Sequence, residues 1–119
     1  MIKYDLEERL IDFAVLIIKA SESIVKNNAG INLSNQIVRS GASPALNYGE
    51  AQAAESKRDF IHKIKIVLKE LRETHISLRI IKKSNLYNDE LLVEEALKEN
   101  NELIAIFVKS LETAKKNSQ

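Results

Sequence analysis

Apolar residues recur along this chain at intervals of three and four, the spacing that gathers them on one face of an α-helix. From Asp5 to Lys26 the stripe is Leu6, Leu10, Phe13, Ile17, Ala20 and Ile24, and Asp5, Glu7 and Glu8 supply the acids that favour a helix start. Asn27, Asn28 and Gly30 then read as a stop. A second helix is predicted over 32–54. The third, over 57–83, opens on Ser56-Lys57-Arg58-Asp59, a capping box in which each side chain can satisfy a free backbone N–H. The Asn85 to Asn88 segment ends it, and Asn88 is expected to cap a fourth helix over 89–116 that begins with Asp89 and Glu90. Lys115 and Lys116 suit the far end of that helix, and the tail from Asn117 to Gln119 is expected to fray. Short connections force consecutive long helices to run antiparallel. The prediction is an all-α, up-down four-helix bundle forming a single domain over 1-119.

The second helix is the odd one. On a helical wheel Leu33, Ile37, Ser40, Gly41, Pro44, Tyr48 and Ala51 occupy one side, and Val38, Ala42, Ala45, Leu46, Gly49 and Ala53 another. Between them runs a polar stripe of Gln36, Arg39, Ser43, Asn47 and Glu50. Apolar or small residues on two sides predict burial over most of the surface, with neighbouring backbones close. Pro44 has no N–H and its ring crowds the carbonyl of Ser40, so a bend is expected, with Ser40 and Ser43 offering hydroxyls to the disturbed turn. Antiparallel register sets Arg39 opposite Glu70 and Leu71, and Asn47 opposite Lys63. The third helix carries Asp59, Ile66, Glu70, Glu73 and Ser77 along one flank, which makes Arg39–Glu70 the expected buried ion pair. Arg39, Ser43, Asn47, Glu50, Glu70 and Glu73 together read as a structural polar network or a subunit interface. A ligand or nucleic-acid site is the competing reading.

Composition narrows the chemistry. The chain of 119 residues is 45% apolar and 29% charged, with three Gly, one Pro and no Trp, which suits helices better than sheets. It has no cysteine, so disulfides and thiolate metal sites are excluded. The start lacks the basic flank of a signal peptide, and the apolar run Phe13 to Ile18 falls far short of the roughly 20 residues that span a bilayer. A cytoplasmic protein without membrane association is expected. Di-iron bundle sites need Glu-x-x-His on two helices, whereas this chain offers one imperfect copy, Asp59-Phe60-Ile61-His62. Gly30, Gly41 and Gly49 form no phosphate-cradling loop, and Ser40 and Ser43 have no His at helical spacing. No catalytic residue, metal or cofactor is expected, and the chain does not read as an enzyme.

Charge is unevenly spread although the net charge is only +1. Residues 56–84 hold nine Lys or Arg against three acids, while residues 88–116 hold seven acids against four bases. Arg58, His62, Lys65, Lys69, Arg72, Arg79 and Lys83 follow helical spacing along one face of the third helix. Such a stripe can neutralise phosphates, and it lacks interleaved aromatics to stack bases, so RNA or DNA would be held by its backbone. A solvated helix face, or a partner for the acidic fourth helix of a neighbouring subunit, explains the stripe equally. Ile11 and Ile18 on the first helix and Ile76 and Ile80 on the third lie outside the core stripes, the pattern of a surface that meets a partner.

The pattern Asn35-Gln36-Ile37-Val38-Arg39-Ser40, then Ser43-Pro44, then Asn47-Tyr48-Gly49-Glu50-Ala51 resembles the four-helix-bundle proteins encoded in 23S rRNA intervening sequences. Glu55-Ser56-Lys57-Arg58-Asp59-Phe60 and Lys69-Glu70-Leu71-Arg72-Glu73-Thr74 look like that family's second motif. The resemblance implies an antiparallel bundle assembling into a ring-like homopentamer. It also implies a relation to the accessory variability protein of diversity-generating retroelements, a basic pentamer that binds nucleic acid and a reverse transcriptase. The expected function is therefore a non-enzymatic oligomeric scaffold holding structured RNA through the third helix; the alternative is a protein-interaction module that binds no nucleic acid.

Overall fold

A computed structural model describes residues 5–117 of the chain. Four α-helices follow one another: α1 (Leu6–Glu22), α2 (Asn28–Gln52), α3 (Lys57–Lys83) and α4 (Glu90–Asn117). Each packs against its neighbours in sequence, and α1 closes the ring against α4, so α1 and α3 stand on one diagonal and α2 and α4 on the other. Among the described residues there is no β-strand. Among the described residues no helix is long and apolar enough to cross a membrane.

The core is the set that the periodicity selects. Leu10, Phe13 and Ile17 of α1 meet Ile37 and Ala51 of α2, Ile64, Val67, Leu71, Leu78 and Ile81 of α3, and Val93, Ala96, Leu103 and Phe107 of α4. Across the α2/α4 diagonal the rings of Tyr48 and Phe107 meet edge to face at 5.5 Å. Burial, reinforced by the nearby charges of Asp5 and Glu7, pushes the Tyr48 phenol above its ordinary pKa.

The helix starts are capped by side chains. Asp5 accepts the Glu8 N–H and Ser56 the Asp59 N–H, each at 3.0 Å. Two expected boundaries move. The first helix ends at Glu22 rather than Lys26, and the second begins at Asn28 rather than 32. The reason is Asn27, which does not stop a helix but starts one: its side chain accepts the Gly30 N–H at 2.8 Å. Gly30 lies inside α2 because the preceding turn folds over it, and a methyl group there would overlap the Val25 carbonyl. The fourth helix is capped by Asp89, which accepts the Leu92 N–H at 3.3 Å, and not by Asn88. The Asn88 N–H instead donates to Ser23 O at 2.8 Å, and the Val25 N–H donates to Leu86 O at 3.1 Å. These two bonds join the α1–α2 connection to the α3–α4 connection at one end of the bundle. Asn85 takes the left-handed conformation (φ 54°) that lets the chain turn there.

Despite Pro44, α2 runs as one helix of 25 residues. The helix α4 continues through Asn117, where the tail was expected to fray, and residues 118 and 119 of that tail lie outside the described residues.

Candidate functional site

The α2–α3 seam holds most of the polar residues singled out above. Arg39 reaches both acids of α3, Glu70 at 3.2 Å and Glu73 at 2.9 Å. The pair with Glu70 is there, but its burial is one-sided: the Glu70 side chain is 10% exposed and that of Arg39 58%. Water therefore reaches the guanidinium, which corrects the expectation of a buried pair. The hydrogen bond from Arg39 holds the Glu73 carboxyl below the usual carboxylate range, and the two acids raise the Arg39 guanidinium in turn. Asn47, expected opposite Lys63, makes no hydrogen bond to it among the described residues. Its amide folds back on its own helix, donating to Ser43 O at 3.0 Å and to Ser43 Oγ at 2.9 Å, and Lys63 pairs with Glu50 at 3.0 Å.

A second layer lies beneath. Ser40 and Thr74, both fully buried, join through their hydroxyls at 2.7 Å, and Thr74 Oγ1 donates to Glu70 O at 2.9 Å. Because Thr74 has one proton and gives it to that carbonyl, Ser40 must be the donor in the cross-helix bond. Ser40 thus serves the neighbouring helix, not the turn that Pro44 disturbs. Asn100, also fully buried, donates to Leu71 O at 3.0 Å. Neither Thr74 nor Asn100 stood out in the sequence. The available signal was a polar residue standing at a core position of an otherwise apolar stripe, as Asn100 does between Ala96 and Leu103.

Arg58, Lys65, Lys69, Arg72, Arg79 and Lys83 are all exposed on α3, as their spacing requires. Among the described residues Arg58, Lys65, Arg72, Arg79 and Lys83 have no carboxylate partner, and Lys69 stands close enough to Glu73 to favour its ionised form. They do not form one continuous belt. Lys57, Arg58, His62 and Lys65 surround a shallow depression of about 480 Å³ at the start of α3. Lys69 and Arg72 instead border a groove of about 590 Å³ between α2 and α3 whose floor is apolar: Leu33, Ile76 and Ile80. Arg79 and Lys83 turn toward α4 and line a third cleft, of about 800 Å³, with His75, Lys82 and Lys98. Lys82 is tied there to Glu94, and the buried Nδ1 of His75 has no hydrogen-bond partner among the described residues. The sequence reading missed Lys57 and Lys98, the first at a helix start and the second on a different helix. Among the described residues no three His, Asp or Glu side chains are grouped to hold a metal ion.

Comparison with known proteins agrees with this architecture. No curated protein matches the chain. A crystal structure of a protein of unknown function from the S23 ribosomal protein family of Bacteroides thetaiotaomicron superposes with a TM-score of 0.76 at 27% identity, covering 90% of this chain and 98% of that one. The family model described as 23S rRNA-intervening sequence protein matches residues 3–109. That match spans all of α1, α2 and α3 and most of α4, and the chain belongs to the 23S rRNA-intervening sequence protein family.

Proposed function

We propose that this protein is a non-enzymatic, self-associating scaffold that holds structured RNA by its phosphate backbone. The observation that carries the reading is the group at the start of α3: Lys57, Arg58, His62 and Lys65 converge on one depression, exposed and without carboxylate partners among the described residues. Cations left unneutralised by their own protein attract polyanions and release condensed counterions on binding. Self-association is supported by the half-exposed Ile11, Val15 and Ile18 on α1 and Ile76 and Ile80 on α3.

The test is binding of a structured RNA over a range of salt concentrations, for the wild type and for an Arg58→Gln/Lys65→Gln variant. Affinity should fall steeply with salt, and the variant should bind more weakly with a shallower salt slope, by roughly one unit per lost phosphate contact. No binding at low salt would end the nucleic-acid reading. A protein-interaction module would then stand in its place, favoured by the apolar floor of the α2–α3 groove.

A further inference from the structure

The third cleft, about 800 Å³ between the end of α3 and the first half of α4, gathers more positive charge than its own surroundings neutralise. Arg79, Lys82 and Lys83 line it from α3, and Lys98 lines it from α4. Lys82 is tied across the seam to Glu94. The carbonyl end of α3 carries about half a negative charge, which a single base in its last turn answers. Among the described residues Arg79, Lys83 and Lys98 have no carboxylate partner. Lys98 also borders the groove of Asp12, Glu95, Glu99 and Glu102, where Arg9 already engages Glu99 and Glu102. The cleft is left with a surplus of about two positive charges.

The free cations stand on two walls. Arg79 and Lys83 are one turn apart, about 6 Å along α3, and Lys98 belongs to the facing helix. A lone small anion meets one of these points, whereas adjoining phosphates meet several. A guanidinium can grip two phosphate oxygens at once, and each ammonium acts as a point charge. The ring of His75, the half-buried Leu97 and the amides of Asn85 and Asn101 complete the lining, a mixture of apolar surface and a few polar groups that suits a small molecule. Two buried atoms of the same seam, His75 Nδ1 and Asn100 Oδ1, have no hydrogen-bond partner among the described residues. Both adjoin one carbonyl: Asn100 donates to Leu71 O, and His75 follows Leu71 by one helical turn. Hydrogen-bonding capacity left unused in a wall of the cleft is costly until a polar group answers it.

We infer that the α3–α4 cleft is a separate site for a small ligand bearing a chain of two or three phosphates. Arg79 and Lys83 hold the phosphates from one wall and Lys98 from the other. An extended polyanion fits less well, because its backbone would leave the cleft over Glu90, Glu94 and Glu95 in the first turns of α4. The site is independent of the depression at the start of α3, which shares no residue with it. A nucleotide and an inorganic phosphate chain offer the same recognised chemistry, and His75 and Leu97 are the surface that a nucleoside would add to it.

The chain has two histidines, and each lines a different basic depression, so NMR of their ring nitrogens reads the two sites separately. The full chain is titrated with orthophosphate, tripolyphosphate and ATP. Tripolyphosphate and ATP should move the His75 resonances saturably, with affinity about tenfold or more above that of orthophosphate. Arg79→Gln/Lys83→Gln should weaken that binding about tenfold, and Lys98→Gln, on the other wall, should weaken it independently. Lys69→Gln/Arg72→Gln removes the same charge from α3 outside the cleft and should leave it unchanged, with helicity checked by circular dichroism in every variant. ATP binding more tightly than tripolyphosphate would make a nucleotide the ligand, and equal affinity would make the phosphate chain alone sufficient; both uphold the site. His75 resonances that stay still, tripolyphosphate binding no tighter than orthophosphate, or equal losses in the two double variants would overturn it. A structured RNA that moves His75 where tripolyphosphate does not would overturn it in favour of a nucleic-acid path. Movement of His62 bears only on the depression at the start of α3, so the RNA reading stands or falls on its own.

Discussion

The two sides of α2 solve different problems. Toward α1 and the connection that follows it, α2 presents glycines: a methyl at Gly30 would overlap the Val25 carbonyl of the connection, and one at Gly41 would stand 2.8 Å from Ile17 of α1. Toward α3 it presents polar atoms: Arg39 to Glu70 and Glu73, Ser40 to Thr74, Glu50 to Lys63. Scarcity of large apolar side chains in this helix thus has two causes. One side needs room for a neighbour's backbone and side chains, and the other needs hydrogen bonds that fix one register among several. The lesson is that small and polar residues in a buried helix can encode shape and orientation separately.

Substitutions on the two sides should separate these roles. The largest loss is expected for Gly30→Ala, upwards of about 3 kcal/mol in urea denaturation, because backbone has to move. Gly41→Ala should cost about 1–3 kcal/mol, since the fully buried Ile17 has little space to retreat. In an Ile17→Ala background, which removes the Cγ1 and Cγ2 atoms that such a methyl would crowd, Gly41→Ala should cost less, and a strictly additive double mutant would disprove that contact. On the other side, Thr74→Val leaves the Ser40 hydroxyl buried without its acceptor and should cost about 1–2 kcal/mol.

Gly49 sharpens the comparison by running the opposite way. A methyl there meets only Glu7 Oε1, at 3.6 Å, so Gly49→Ala should raise stability by about 0.5–1 kcal/mol through helix propensity. Arg39→Ala should have the smallest effect, under about 1 kcal/mol at neutral pH, because its guanidinium is largely in water. Its signature is in the acid limb. The Glu73 carboxyl ionises below its ordinary range when folded, so its contribution is complete above about pH 4.3, the unfolded value. It is lost as pH falls from there through the lower folded value. Wild type and variant should converge in stability over that window; parallel curves would show that Arg39 does not set the titration of Glu73.

Much of this was legible in the chain. The stripes Leu10–Phe13–Ile17 and Ile64–Val67–Leu71–Leu78 could be read because burial selects apolar side chains at helical spacing. Arg39 opposite Glu70 followed from the short turn between α2 and α3. What escaped depended on contacts distant in sequence. Asn27 and Gly30 look the same as a stop and as a start, and only the returning carbonyl of Val25 decides between them. The basic residues of α3 were correctly placed on the surface, yet their division among three depressions depends on Leu33 from α2 and Lys98 from α4.

The pairing of the two connections, Asn88 to Ser23 and Val25 to Leu86, fastens the α1/α2 half of the bundle to the α3/α4 half at one end. One end is clasped by these two bonds, and at the other the short connection 53–56 leads from α2 to α3 beside the Glu50–Lys63 ion pair. Slow exchange of the Val25 and Asn88 amides would mark the clasp. Ile76 to Lys83 lie on the part of α3 that leads into it. Arg58 lies at the opposite end of α3, next to the 53–56 connection.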